Sequence, residues 1–211
     1  KEVSFVRTGM LGEKVVISGG AFVLPIIHNI TQVGMRTLSL NIKRAGEKSL
    51  ITKDRMRAEL VTEFFTKVPP EAKAVSTAAQ TLGNRTLDPE HLKEVVAGRF
   101  ADALGEVAAK MTLDEIQENR GQFVKEVAKI ANESIGHTGL ALETVSIISL
   151  DQAPIEMFNP ANTFDSQGLT QLTEQIEERK KKRNDITQDT KISIENKNLE
   201  TIQKELEIKR N

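Results

Sequence analysis

From residue 166 to residue 211 the chain contains no Ala, Val, Phe, Met or Pro and a single glycine, Gly168. Of those 46 residues, 9 are acidic and 10 basic, about 41%, against about 24% before residue 166. A segment so composed cannot build a globular core of its own. Every Phe, Met, Pro and His lies before it. The chain is therefore two objects, a compact domain followed by a charged appendage. A length of 211 residues suits one ordinary domain plus such an extension, and 38% hydrophobic residues exclude disorder throughout. The chain has no Cys, which removes disulfides, thiolate metal sites and a cysteine nucleophile.

The first third reads as β. Val3-Ser4-Phe5-Val6 and Val15-Val16-Ile17 are short apolar runs, and Gly19-Gly20 turns the chain. The run Ala21 to Ile30 contains Pro25, which argues for an edge or a break there. Leu38, Leu40 and Ile42 alternate with polar residues, the period of a half-buried strand. From Met56 onward the signal is clearest. Ala58, Leu60, Thr62, Phe64, Thr66 and Val68 share one face, and Arg57, Glu59, Val61, Glu63, Phe65 and Lys67 the other. Pro69-Pro70 ends it.

The middle reads as helical. An Ala-rich helix runs from Pro70 to Leu82 and stops at Gly83-Asn84. Asp88-Pro89 is an N-cap with Pro at the first helical position. The next helix places Leu92, Val95, Val96, Phe100, Leu104 and Val107 on one face. Thr112 and Glu115 form a capping-box pattern for one further helix, with Ile116, Phe123, Val124, Val127 and Ile130 or Ala131 inward, closed at Gly136 or Gly139. A last strand covers about 140–150. The loop Asn159-Pro160-Ala161-Asn162 is expected to be pinned by Phe158 and Phe164.

The appendage reads as one helix from about Gly168 onward. A solitary helix of this composition gains little from burial, so it needs a partner. Leu169 and Ile202 lie three elevens apart, and Leu172 and Ile194 two elevens. At about 3.67 residues per turn, Leu169, Leu172, Ile176, Ile194, Leu199, Ile202 and Leu206 share one broad face, whereas a strict heptad loses register across Glu177 to Lys191. That face is the expected oligomerisation seam of a coiled coil. Arg179-Lys180-Lys181-Lys182-Arg183 points all round the helix. Glu177 and Glu178 are placed to face Lys181 and Lys182, and Lys181 to face Asp185, across helical turns. With no Tyr and no Trp for stacking on bases, nucleic acid is not an expected partner.

No catalytic, cofactor or metal site is read from the residues. His28, His91 and His137 fall on different expected elements. His91 and Glu94 make half of a carboxylate-bridged bundle motif, but the second half is missing. No Gly-x-Ser-x-Gly elbow, Gly-x-Gly-x-x-Gly loop or Walker pattern is present. No stretch approaches the roughly 18 apolar residues that span a bilayer. The chain starts at Lys1 without a signal pattern, which reads as a piece of a longer protein.

Several segments in order resemble a known family. Phe5-Val6-Arg7-Thr8-Gly9, Gly12-Glu13-Lys14-Val15-Val16 and Gly19-Gly20-Ala21-Phe22-Val23-Leu24-Pro25 look like the opening of flotillins. So do Leu50-Ile51-Thr52-Lys53-Asp54, Ala78-Ala79-Gln80-Thr81-Leu82-Gly83 and the stretch from Leu142 through Asp151 to Phe158-Asn159-Pro160. The resemblance covers nearly the whole chain. It is closest to the YqiK-type bacterial inner-membrane branch of the stomatin/prohibitin/flotillin/HflK/C superfamily (SPFH, or band 7).

The resemblance implies an α+β SPFH domain followed by a long C-terminal coiled-coil helix. It divides the chain into a β-rich, membrane-proximal subdomain over 1–68, an α/β subdomain over 69–165 and the start of the arm over 166–211. It implies a non-enzymatic scaffold without cofactors that homo-oligomerises laterally to organise membrane microdomains (lipid rafts). A regulatory module that docks membrane proteases or other membrane-protein clients is the alternative. The anchor would be an N-terminal hydrophobic segment absent from this piece. The full-length protein would sit on the cytoplasmic face of a bacterial inner membrane, and the piece itself would be soluble. Animal flotillins carry acylated cysteines, and this chain has none, so cysteine lipidation cannot anchor it.

Overall fold

The structure, a computed structural model, describes residues 2–9, 12–24 and 26–210, with the side chains of Glu207 and Arg210 left aside. Pro25, expected to break a strand, and Asn211 lie outside the described residues. The chain divides into two compact units, residues 1–158 and 159–211.

Two antiparallel sheets organise the first unit. In one, β1 (Val3–Gly9) lies between β2 (Lys14–Val16) and β3 (His28–Gly34). In the other, β6 (Arg57–Lys67) is central. It carries β4 (Leu38–Arg44) and the short β5 (Leu50–Ile51) along one edge and β7 (Ala141–Gln152) along the other. Every second residue of β6 is buried and the rest are half-exposed, as the alternation of the sequence requires. The buried face includes Thr62 and Thr66, and Thr66 Oγ1 donates to the Ala141 carbonyl at 2.9 Å. On β7, Glu143 and Ile148 have no partner in the register with β6. These two bulges turn Ile148 outward, where it is exposed.

Helices cover the buried face. α1 (Ala72–Thr81) precedes a 3-10 turn at Gly83–Leu87, and α2 (Pro89–Ala108) starts at Asp88, whose carboxylate accepts from the Glu90 amide at 3.1 Å. Leu92, Val96, Phe100, Leu104 and Val107 of α2 are buried, and Val95 sits half-buried at the margin. The Thr112–Glu115 capping box is present in both directions, at 3.2 and 2.8 Å.

The single helix expected after it is two, α3 (Leu113–Glu118) and α4 (Arg120–Gly136). Asn119 separates them with φ −115° and ψ 46°, outside the helical region. The apolar spacing runs on across the break, so Ile116, Phe123, Val127, Ala131 and Ile135 still form one buried row. Gly139 follows α4 with φ +78°. A Cβ there would come 2.5 Å from both Ala74 O and Ala78 N of α1, so two reasons demand glycine.

The second unit is a loop and one helix, α5 (Thr163–Arg210), 48 residues and about 72 Å long. It begins five residues before Gly168, where the sequence reading started it. Asn162 supplies the reason: its side-chain oxygen accepts from the Phe164 amide at 2.9 Å, and its carbonyl accepts from Ser166 at 2.8 Å. Asp165 closes the loop by accepting from the Asn159 amide at 3.1 Å. Of the two phenylalanines expected to pin the loop, Phe158 is buried and Phe164 is half exposed.

Candidate functional site

Two surfaces stand out, and the first is α5. Of the expected seam, Leu172 is buried and Leu169 and Ile176 are half-buried. Ile194, Leu199, Ile202 and Leu206 are between 52% and 61% exposed. Ile186, Ile192 and Ile208, which fall off the seam, are equally open. Large apolar side chains thus stay exposed along the helix from Ile186 to Ile208. In the charge run, Glu177 pairs with Lys180 at 2.6 Å rather than with Lys181. Arg179, Lys181, Lys182 and Arg183 have no carboxylate partner among the described residues. Lys180 and Glu177 both stay more than half exposed, so that pair contributes little.

The second surface is the segment between β2 and β3, expected from its residues as an interrupted apolar run and from the family resemblance as part of the membrane-proximal subdomain. Phe22 is 75% and Ile26 97% exposed, with Leu24 and Ile27 beside them partly open. Polar groups at the base of this segment hold it. The buried Arg7 donates through Nη1 to the Phe22 carbonyl at 2.8 Å. The Leu24 amide donates to Nδ1 of the buried His28 at 3.0 Å. The Ile27 and His28 amides donate to the Leu24 carbonyl at 3.1 and 3.0 Å. The sequence signal that could have located this surface is Gly19-Gly20 followed by apolar residues with no polar alternation, which no half-buried strand shows.

Several other titratable groups have local partners. His91 Nδ1 lies 3.3 Å from Asp88, not beside a second carboxylate of a bundle site. The amide of Glu90 and, secondarily, the neighbouring His91 hold the Asp88 carboxyl below its usual range. Glu143 is also held low, first by the ammonium of Lys67 and then by the hydroxyl of Thr37. A cleft of about 570 Å³ beside α4 is lined by Lys110, Glu115 and Glu126 among others. There Glu115 is committed to its capping box and Lys110 to Glu106 at 2.7 Å. No group of three or more His, Asp or Glu able to hold a metal occurs among the described residues. No helix among them is long and apolar enough to cross a membrane.

The amino-acid sequence has known relatives. Residues 2–185 match the SPFH domain / Band 7 family. The chain is 47% identical over 207 residues to the Flotillin family inner membrane protein YqiK of Escherichia coli K12, covering 98% of this chain and 37% of that protein. It is 30% identical over 211 residues to a flotillin family inner membrane protein of Synechocystis, covering 98% of this chain and 31% of that one. With human Flotillin-1 the identity is 25% over 155 residues, 71% of this chain and 35% of the relative. The chain thus spans about a third of the length of these curated relatives. Matched by that domain over most of its length, and similar to flotillins from bacteria to human, the chain belongs to the SPFH domain / Band 7 family.

Proposed function

We propose that this chain is the SPFH domain and proximal arm of a flotillin-like membrane scaffold, acting by homo-oligomerisation and not by catalysis. The observation that carries the reading is α5, about 72 Å of helix whose large apolar side chains from Ile186 onward are uncovered. Only a partner of comparable length removes that surface from water, and a second copy always supplies one. In this reading the seam Leu169, Leu172, Ile176, Ile194, Leu199, Ile202 and Leu206 forms a coiled coil between copies. Residues 1–68 are the membrane-proximal subdomain, 69–165 the second subdomain and 166–211 the start of the arm. The exposed side chains of Phe22 and Ile26 support contact of the first subdomain with the inner membrane from its cytoplasmic face. Ile202→Lys with Leu206→Lys would place two ammonium groups in the seam and abolish self-association. Sedimentation velocity on the chain with and without the two changes tests this, and an unchanged mass distribution sinks it.

The alternative, a regulatory module that docks membrane-protein clients, draws on β7. Among the described residues this 12-residue strand pairs with β6 alone, and apart from the Leu142 amide, which donates to Asn132 Oδ1 at 3.1 Å, its other edge could receive an extended peptide. Proximity labelling in cells that returned only the protein itself would count against it.

A further inference from the structure

A cavity of about 330 Å³ opens in the first unit where the ends of β1 and β3 meet the start of β4, the 3-10 turn and α2. Val3, Leu38, Leu87, Pro89 and Leu92 form its apolar lining. Leu38 and Leu92 are buried, whereas Val3 and Leu87 are 45% and 42% exposed, so this lining is only half closed. Hydrogen bonds hold the walls. The Met35 amide donates to the Glu2 carbonyl at 2.8 Å, and the Gly34 amide donates to Thr86 Oγ1 at 3.0 Å. A Cβ on Gly34 would come 2.4 Å from Thr86 O, so only glycine lets the turn close against the end of β3. Preformed, mostly apolar cavities of this size are where small molecules bind.

The polar lining is already paired. Thr86 Oγ1 donates to the Gly83 carbonyl at 3.0 Å while accepting from Gly34, and Thr37 Oγ1 donates to Glu143 at 3.0 Å. Pro89 brings no N–H to the start of α2, and the next amide, of Glu90, donates to Asp88. What remains is one ion pair, Arg36 Nη2 with the carboxylate of Glu2, whose side chains are 75% and 65% exposed at the solvent side of the cavity. We propose that this cavity binds a small uncharged amphiphile, an aliphatic body carrying one hydroxyl. At about 30 Å³ for each water-sized group, the space holds roughly ten heavy atoms. A hydroxyl suits the ion pair, since it accepts from the guanidinium and donates to the carboxylate. A carboxylate head is repelled by Glu2, and an ammonium head by Arg36. Asp88 and Glu143, the carboxylates beside this lining, are turned to His91 at 3.3 Å and Lys67 at 2.7 Å. The aliphatic body removes Val3 and Leu87 from water. The site needs neither a membrane nor a second copy, so it stands apart from the scaffold reading.

Octanol, octanoate and octylammonium, titrated at about pH 7 into the full 211-residue chain and followed by methyl NMR, test the site. Octanol should shift the methyls of Val3, Leu38, Leu87 and Leu92. It should bind about threefold tighter than either charged homologue, the size of an effect between exposed charges. Glu2→Gln leaves the guanidinium alone, so octanoate should gain about threefold relative to octanol. Arg36→Gln should favour octylammonium in the same way. Leu87→Lys puts an ammonium on the apolar wall at a position exposed enough to bear it, and should weaken octanol binding about tenfold. Octanol shifts confined to Phe22, Ile26 and α5, undiminished binding in Leu87→Lys, or an order of the three ligands that neither rim substitution changes would each overturn the site. The methyl shifts and the ligand order are measured on the unaltered chain, so they decide the matter even if Leu87→Lys folds poorly.

Discussion

The rings of Phe64 and Phe100 stack with centroids 4.3 Å apart and planes 4° from parallel. Phe64 is on the central strand β6 and Phe100 near the middle of α2, and both are fully buried. This contact joins the sheet to the helix that covers it. Phe100→Ala removes the stacking and leaves a cavity that neighbouring β6 and α4 cannot close, at a cost of about 3–5 kcal/mol. Phe100→Leu keeps most of the volume and should cost about a third as much. Urea unfolding followed by circular dichroism gives both numbers. A loss below about 1 kcal/mol for the Ala variant would mean the core does not turn on this pair.

Much of this arrangement is legible in the sequence because the physics is local. β6 alternates strictly from Arg57 to Lys67, since one face meets helices and the other stays half open. The caps at Asp88 and Thr112 read correctly because capping depends on residues two or three apart. What escaped the sequence reading depends on contacts made elsewhere. The row Ile116, Phe123, Val127 continues its helical spacing through Asn119, so periodicity alone cannot see the break. The segment over the first sheet is held by Arg7 and His28, which are far apart in sequence until β1 and β3 pair. The apolar surface of α5 was visible in outline, because a helix without Ala or Val has few ways to be apolar. The choice of Lys180 over Lys181 by Glu177 was not, since exposed pairs one turn apart differ by little.

Gly139 should prove far more costly to replace than glycines inside helices. Its left-handed φ of +78° and its approach to the α1 backbone both exclude a side chain. Gly139→Ala is expected to destabilise the first unit by at least about 2 kcal/mol. Gly105 in α2 has nothing within 4 Å of its would-be Cβ, so Gly105→Ala should stabilise by about 0.5–1 kcal/mol. Opposite shifts of the urea midpoint in the two variants are the expected result. Equal shifts would show that the close approach at Gly139 is not maintained in solution.

Glu143 links the start of β4 to the edge strand β7 through Thr37 and Lys67. Its carboxyl is held below the usual range by Lys67 first and Thr37 second. A pKa depressed in the folded state contributes stability that is present above the unfolded value, near pH 4.3, and is lost as pH falls through the folded value. Glu143→Gln should therefore be slightly less stable than the parent at pH 7, with the gap closing as the medium is acidified below about pH 4.5. The group is exposed, so the gap should also narrow in high salt. Urea midpoints at several pH values check this, and a gap that widened in acid would refute the assignment.

Phe22 and Ile26 make few contacts within the chain, so they should matter for binding rather than for folding. Burying a large apolar side chain in a bilayer interface is worth about 1.5–3 kcal/mol. Phe22→Ser with Ile26→Ser should therefore leave the urea midpoint nearly unchanged while lowering the partition onto phospholipid vesicles by about tenfold or more. Cosedimentation with neutral vesicles is the suitable assay, since it isolates the apolar contribution from attraction between charges. Equal partition of the two proteins would remove the segment from any membrane-facing role. A parallel loss of thermal stability would instead place these side chains inside the folded core, contrary to their exposure.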